Sequence, residues 1–438
     1  MSAPRAAGTE ARLFGFRRVA LWSGLALAAV LAALATTVVL LNLRGEAPIR
    51  GDLPPPAASA AQLDRGRYLA IAGNCAGCHT ARGGAAYAGG RGIETPFGTL
   101  YAGNLTPDTL TGLGQWNADH FWRALHHGRS RDGRLLYPAF PYTSFTQVTR
   151  EDSDALFAWL QSLPPVTQAN RPHTLRFPYD TQAALAVWRA LFFRPAEFVP
   201  EPGRSAEHNR GAYLVQGLGH CIACHGSRNT LGATDVSRGL AGGMLPGENW
   251  YAPALDAPHE AGVAGWPLQD IVALLKTGRT EHGSVLGPMA EVVYRSTQHM
   301  SDADLQAMAL YLKELPQQPA PPAPTQPPRR NVSLLARGEK IYAQQCAWCH
   351  GDQGQGEPGA FPPLAGNRAV NLANPVNLVQ VVRRGGYPPA TEGNPRPYGM
   401  PPFGHVLSDE DIAAVLSYVR SNWGNTGAEV TLREVMQR

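Results

Sequence analysis

The chain has 438 residues, 44% of them hydrophobic and 16% charged, with a formal net charge of +4. Arg5, Arg12, Arg17, Arg18, Arg44 and Arg50, set against Glu10 and Glu46, supply all of that charge, so the remainder is neutral. With no basic stripe interleaved with aromatics, it offers nothing to nucleic acid. At ~100–200 residues per domain the length accommodates about three.

From Val19 to Leu43 no charged residue occurs, and a helix over this stretch would span roughly 37 Å at ~1.5 Å per residue, enough to cross a bilayer. The arginines ahead of it predict a cytoplasmic N-terminus and export of everything after Leu43. Residues 1–50 are therefore expected to form a single-pass anchor in a bacterial inner membrane, with the rest in the periplasm. The alternative is a cleaved signal peptide with a small-x-small site at Ala33-Leu34-Ala35. It would strand an apolar remnant, and the run exceeds the ~7–15 residues of a signal core.

Beyond the anchor one order of elements recurs at 60–165, 205–315 and 331–425. Each unit opens on Arg-Gly, at Arg65-Gly66, Arg210-Gly211 and Arg337-Gly338, and this predicts a short helix leading to a Cys-x-x-Cys-His motif. A second helix is predicted to end at a glycine, around Phe121–Gly128, Ile271–Gly278 and Leu378–Gly385, followed by a loop rich in Pro and Gly. A cap at Thr149, Ser301 or Ser408, with Asp three residues on, predicts a closing amphipathic helix. This is the order of a class I cytochrome c domain, so the expected fold is all-α, three tandem cytochrome c domains after one transmembrane helix.

Residues 166–204 connect the first two units and carry an apolar, aromatic stretch from Leu185 to Phe193, either interdomain core or a surface for membrane or partner. Residues 316–330, rich in proline, read as an extended linker, and 426–438 as a C-terminal tail.

All six cysteines fall in the three motifs: Cys75, Cys78 with His79; Cys221, Cys224 with His225; Cys346, Cys349 with His350. Two thiols so spaced form thioethers to one haem while the adjacent histidine ligates its iron. A zinc site needs paired units to close a tetrahedron, a redox dithiol needs no histidine, and a disulfide scaffold belongs to short chains of dense, varied spacing. Three covalent c-type haems follow, each supplying much of the apolar core of its small domain.

Methionine as sixth ligand raises haem potential. Met289, after Pro288, and Met400, between Gly399 and Pro401, sit in the loops before the closing helices and are the predicted ligands. Met308 reads as core, and Met244 comes too early. Unit one has no methionine; aligning Gly128, Gly133 and Pro138 with Gly278, Gly283 and Pro288 sets Ala139 opposite Met289, with Phe140 beside it. His126 is the substitute candidate, ahead of His120 and His127, although Lys276 and Arg383 stand at its place in the other units. A sixth site with no protein ligand is the other possibility.

Four segments carry a family resemblance: Thr95-Pro-Phe-Gly-Thr-Leu-Tyr-Ala102, Leu136-Tyr-Pro-Ala-Phe-Pro-Tyr142, Gly287-Pro-Met-Ala-Glu-Val-Val293 with Ser296-Thr-Gln298, and Arg396-Pro-Tyr-Gly-Met-Pro-Pro-Phe403. By these the chain resembles the three-haem cytochrome c subunits of membrane-bound bacterial alcohol, gluconate and aldehyde dehydrogenases. The resemblance implies acceptance of electrons from a catalytic subunit of molybdopterin, PQQ or flavin type and their transfer to ubiquinone or another respiratory acceptor. Many members have methionine where Phe140 stands; those with phenylalanine resemble the cytochromes that accompany molybdenum-containing aldehyde or N-heterocycle hydroxylases. No nucleophile triad, phosphate loop or paired carboxylates point to chemistry of the chain's own. Two alternatives stand beside the relay: a peroxidase-like haem enzyme using a five-coordinate first haem, and a stand-alone cytochrome donating to an oxidase.

Overall fold

The computed structural model describes residues 7–49, 58–319 and 330–437. Arg5 and most of the proline-rich linker lie outside the described residues. Helix α1 (Ala7–Asn42) contains the apolar stretch, and its 25 residues from Arg18 to Asn42 pack against nothing along most of their length. Its end is clamped. Asn42 donates from Nδ2 to Ala186 O (2.9 Å) and accepts at Oδ1 from Arg189 Nε (2.8 Å), while Glu46 pairs with Arg129 (2.8 Å) and Arg123 (3.6 Å).

Unit one comprises α2 (Ala60–Ala72), α3 (Cys75–His79), β1 (Gly92–Thr95), β2 (Gly98–Tyr101), α4 (Ala118–His127), α5 (Tyr142–Phe145) and α6 (Arg150–Gln161). The connector adds β3 (Thr174–Leu175), which extends the β1–β2 hairpin, and α7 (Gln182–Phe192). Unit two runs through α8 (Ala206–Ala212), a π-helical turn at Tyr213–Leu218, α9 (Ile222–His225), the pair β4 (Gly243–Met244) and β5 (Tyr251–Ala252), α10 (Leu268–Thr277), the pair β6 (Arg279–Thr280) and β7 (Gly283–Ser284), α11 (Pro288–Arg295) and α12 (Asp302–Lys313). Unit three has α13 (Val332–Gln345), α14 (Ala347–His350), α15 (Arg368–Asn371), α16 (Val376–Arg384) and α17 (Asp409–Ser421), with α18 (Leu432–Met436) packed behind. The all-α expectation needs amendment: the loops fold into small antiparallel ladders, because their backbone groups must find partners.

The Arg-Gly repeat has a physical cause. The first and last helices of each unit cross at the glycine. A Cβ on Gly66, Gly211 or Gly338 would collide with the carbonyl oxygen of Ala155, Ala307 or Ala414 and press on Trp159, Tyr311 or Tyr418 one turn later. The preceding arginine then reaches the aspartate in the first turn of the last helix: Arg65 to Asp152 (2.6 Å), Arg210 to Asp304 (2.8 Å), Arg337 to Asp411 (2.8 Å). That aspartate's backbone N–H is capped by Thr149, Ser301 or Ser408, an arrangement that also favours negative charge at the helix start. The middle helices α4, α10 and α16 end at Gly128, Gly278 and Gly385 with φ of 57°, 75° and 66°, values that glycine adopts without steric cost.

Units one and two exchange hydrogen bonds as a reciprocal pair. Tyr68 donates to Asp304 Oδ2 (2.6 Å) and Tyr213 donates to Asp152 Oδ2 (2.5 Å), so each carboxylate takes its arginine from its own unit and a phenol from the other. Their cores are continuous, Leu69, Leu156 and Leu160 joining Leu214, Leu218 and Leu305. In unit three the tyrosine's place is held by Lys340, and the core around Ile341, Tyr342, Val415 and Val419 is separate.

Candidate haem sites

Each Cys-x-x-Cys-His motif directly follows the first helix of its unit. Asn74 and His220, immediately before Cys75 and Cys221, take φ of 48° and 40°, turning the chain out of one helix and into the short helix that carries the motif. None of the six thiols is in a disulfide. Burial pushes Cys75 and Cys221 up to about 12 and Cys224 and Cys346 up to about 11, the mark of sulfurs set in apolar surroundings. Among the described residues no cluster of His, Cys, Asp and Glu is arranged to hold a metal ion.

The three histidines share one arrangement. Nδ1 of His79 lies 2.7 Å from Gly103 O, Nδ1 of His225 2.7 Å from Pro253 O, and Nδ1 of His350 3.1 Å from Pro362 O. A carbonyl only accepts, so Nδ1–H donates and Nε2 keeps its lone pair. Burial lowers all three pKa values, against the smaller opposing effect of these hydrogen bonds. A neutral imidazole oriented through Nδ1 is the form required of an iron ligand.

A cavity of about 1640 Å³ lies against unit one, walled by Cys75, Cys78, His79, Phe121, Leu156 and Phe140 among others, larger than the ~300–1,000 Å³ of ordinary small-molecule sites. Free thiols, a carbonyl-oriented histidine and apolar walls converge on one space, and these residues fit a covalently attached haem. When bound, haem would supply one-electron redox chemistry; Cys75 and Cys78 would hold it, His79 would offer it an oriented imidazole, and the apolar wall of Phe121, Phe140 and Leu156 would keep water away.

The same cavity reaches Cys224, whose thiol is raised in part by the nearness of Cys78. The first two motifs therefore stand side by side. Between them Arg91 of unit one donates from Nη1 (2.6 Å) and Nη2 (3.0 Å) to Glu291 of unit two and from Nη1 to Gly77 O (2.5 Å). Burial opposes ionisation of Glu291, but Arg91 and Arg295 hold its carboxyl below the ordinary range, whereas Glu248 on the same wall is raised, chiefly by burial. These polar residues escaped the sequence reading, as nothing in local spacing links Arg91 to a partner two hundred residues on.

Met289 sits in the first turn of α11, after Pro288 and the left-handed Gly287 (φ 57°). Pro288, Glu291 and Val292 face the unit-one cavity, and Met289 does not. Met400 is half-buried in the loop between α16 and α17, its backbone paired with Gly386 (2.8 and 3.0 Å). In unit one, Ala139 and Phe140 line the cavity where a ligand was sought. His126, His120 and His127 do not: His126 stacks on Trp122 (centroids 4.4 Å apart) with a backbone hydrogen bond to Thr146, and His120 closes the capping box of α4. Lys276 and Arg383, which stand at the place of His126, similarly tie down the approach to the last helix, reaching Asp302 (2.9 Å) and Asp409 (2.5 Å). His173 does line the cavity, but its Nδ1 accepts from Tyr101 N–H (3.2 Å), which puts the proton on Nε2.

Two family models match: cytochrome c over residues 63–164, and cytochrome c oxidase, cbb3-type, subunit III over residues 333–419. The chain is 40% identical over 400 residues to the cytochrome c subunit of alcohol dehydrogenase (quinone) from Komagataeibacter europaeus, covering 86% of this chain and 85% of that one. The gluconate 2-dehydrogenase cytochrome c subunit of Pantoea cypripedii is 36% identical over 86% of this chain and 88% of its own. The chain belongs to the family of dehydrogenase cytochrome c subunits. Haem c, attached through cysteine, is accordingly its cofactor. A further family likeness, 45% identity over 83% of this chain, is to one of the nicotinate dehydrogenase subunits of Pseudomonas putida, of which it covers 30%.

Proposed function

We propose that this protein relays electrons singly from a catalytic dehydrogenase subunit, through three covalently bound haems, to ubiquinone or another respiratory acceptor. The observation that carries it is the threefold recurrence of unpaired thiols beside a carbonyl-oriented histidine, two of the sites sharing one cavity. Cys75 and Cys78, Cys221 and Cys224, and Cys346 and Cys349 would attach the haems, and His79, His225 and His350 would hold their irons, with Met289 and Met400 as the further protein ligands in the second and third. The three units, 60–165, 205–315 and 331–425, are class I cytochrome c domains. Helix α1 anchors them on the periplasmic side of the inner membrane, since Arg17 and Arg18 precede the span. Phe140 favours a molybdenum-containing partner over a PQQ or flavin one.

Solubilising native membranes and purifying the protein through a C-terminal tag tests the reading. Three haems per chain and a stoichiometric dehydrogenase are expected; a lone cytochrome would shift the assignment to a stand-alone carrier.

The apolar Ala139–Phe140 wall favours a second reading, a five-coordinate first haem that takes a small substrate such as peroxide. Carbon monoxide bound by one haem in three of the reduced protein would support it, and no binding would remove it.

A further inference from the structure

Two arginines from different parts of the sequence take the same role at the first two motifs. Arg91 donates to Gly77 O (2.5 Å), the carbonyl just before Cys78, and Arg228 donates to Ala223 O, the carbonyl just before Cys224. Both arginines and both of these cysteines face the cavity that the two sites share. They differ in what else they meet. Arg91 holds Glu291 through both terminal nitrogens (2.6 and 3.0 Å), whereas Arg228 turns to a second carbonyl, Gly232 O (3.0 Å), and pairs with no carboxylate among the described residues.

Charge is therefore spread unequally along the shared wall. Arg91, Glu291 and Glu248 all act on Cys78, two anions against one cation, while Arg228 and Glu248 act on Cys224, one against one. Arg295 also pairs with Glu291 (2.8 Å), one turn along the same helix, without acting on either thiol. In the third motif Cys349 is shifted by burial alone. An oxidised haem carries one more positive charge than a reduced one. A fixed anion beside it stabilises the oxidised form and lowers the potential, and a cation raises it.

We propose that Glu291, by neutralising Arg91 while Arg228 has no carboxylate, holds the potential of a haem at the first motif below that of a haem at the second. This rests on the reading of the motifs as haem sites. Glu248, acting on both, lowers the two together. The difference favours an electron on the second haem over the first, one being oxidised as the other is reduced, with no proton or atom exchanged.

The test is a redox titration of the full-length, haem-loaded protein in detergent, in mildly alkaline buffer that keeps both carboxylates ionised. Glu248→Gln is expected to raise two of the potentials and so to mark the pair. Within that pair Glu291→Gln should raise the lower one, Arg91→Gln should depress the same one, and Arg228→Gln should depress the other. A third potential should stay in place throughout. If Arg228→Gln loses its haem, the other variants still decide. Shifts of one sign in Arg91→Gln and Glu291→Gln would mean loosened packing rather than charge and would overturn the proposal, as would an effect on the higher of the pair or on neither. Arg91→Lys keeps the charge and should leave the lower potential near its natural value; a shift as large as that of Arg91→Gln would also overturn it. Haem counted per chain by the pyridine haemochromogen spectrum tests the underlying reading separately: two haems would overturn the three-haem assignment and leave the comparison within the pair intact.

Discussion

The histidines proposed to bind iron were legible because each is contiguous with its cysteines, whereas the carbonyls that orient them lie in loops 24, 28 and 12 residues downstream. Spacing announces the ligand, and only the folded loop shows which nitrogen is free. The proposed methionine ligation makes a direct prediction: Met289→Ala should lower one midpoint potential and leave the others in place, and an unchanged redox titration would remove Met289 as a ligand. His127 predicts a pH dependence. Burial, then His126 and the cations of Arg189, Arg129 and Arg123, depress its pKa from 6.5 to about 4; Glu46 faces the same cations. The unfolded chain binds this proton more readily, so the stability His127 contributes is full above about 6.5 and drains away as pH falls toward about 4. Denaturant titrations at pH 7.5 and 5 (round values bracketing roughly that window) should differ less in His127→Gln than in the natural protein; an equal difference would assign the dependence elsewhere.

At the scale of the element, caps and terminal glycines could be read because they are local signals. Thr149, Ser301 and Ser408 cap where spacing placed them, and Gly128, Gly278 and Gly385 end their helices. The Arg-Gly repeat was visible, but its reason was not, since Gly66 meets its obstacle at Ala155 on another helix. The short ladders escaped notice because strands of two residues carry no periodicity. Gly211→Ala is expected to destabilise by ~1–3 kcal/mol through overpacking, measured by thermal melting of the Soret band. Gly265, whose Cβ would meet nothing within 4 Å, is the control. Equal melting of the two variants would count against the helix crossing. Thr149→Ala should cost ~1 kcal/mol through loss of the cap.

At the scale of the whole molecule the architecture is two plus one. Shared core and exchanged tyrosines bind units one and two, and unit three keeps its own core. Calorimetry should show two transitions, and Tyr68→Phe combined with Tyr213→Phe should lower only the one belonging to the pair, by ~1–3 kcal/mol for each lost bond to a carboxylate. A single transition shifted as a whole would contradict this division. Sequence repeats revealed three similar units but not the pairing, which depends on whether Tyr or Lys340 stands at one position. The exchange also imposes a timetable on biosynthesis. Synthesis proceeds from the N-terminal end, so Asp152 is made with Arg65 already present and Tyr213 still to come. A nascent chain halted before Tyr213 leaves Asp152 half-partnered and the core it shares with unit two uncovered. Unit three exchanges no such tyrosine; it meets unit two through amide and backbone hydrogen bonds, those of Asn377 with Tyr251 and of Gln380 with Asn249.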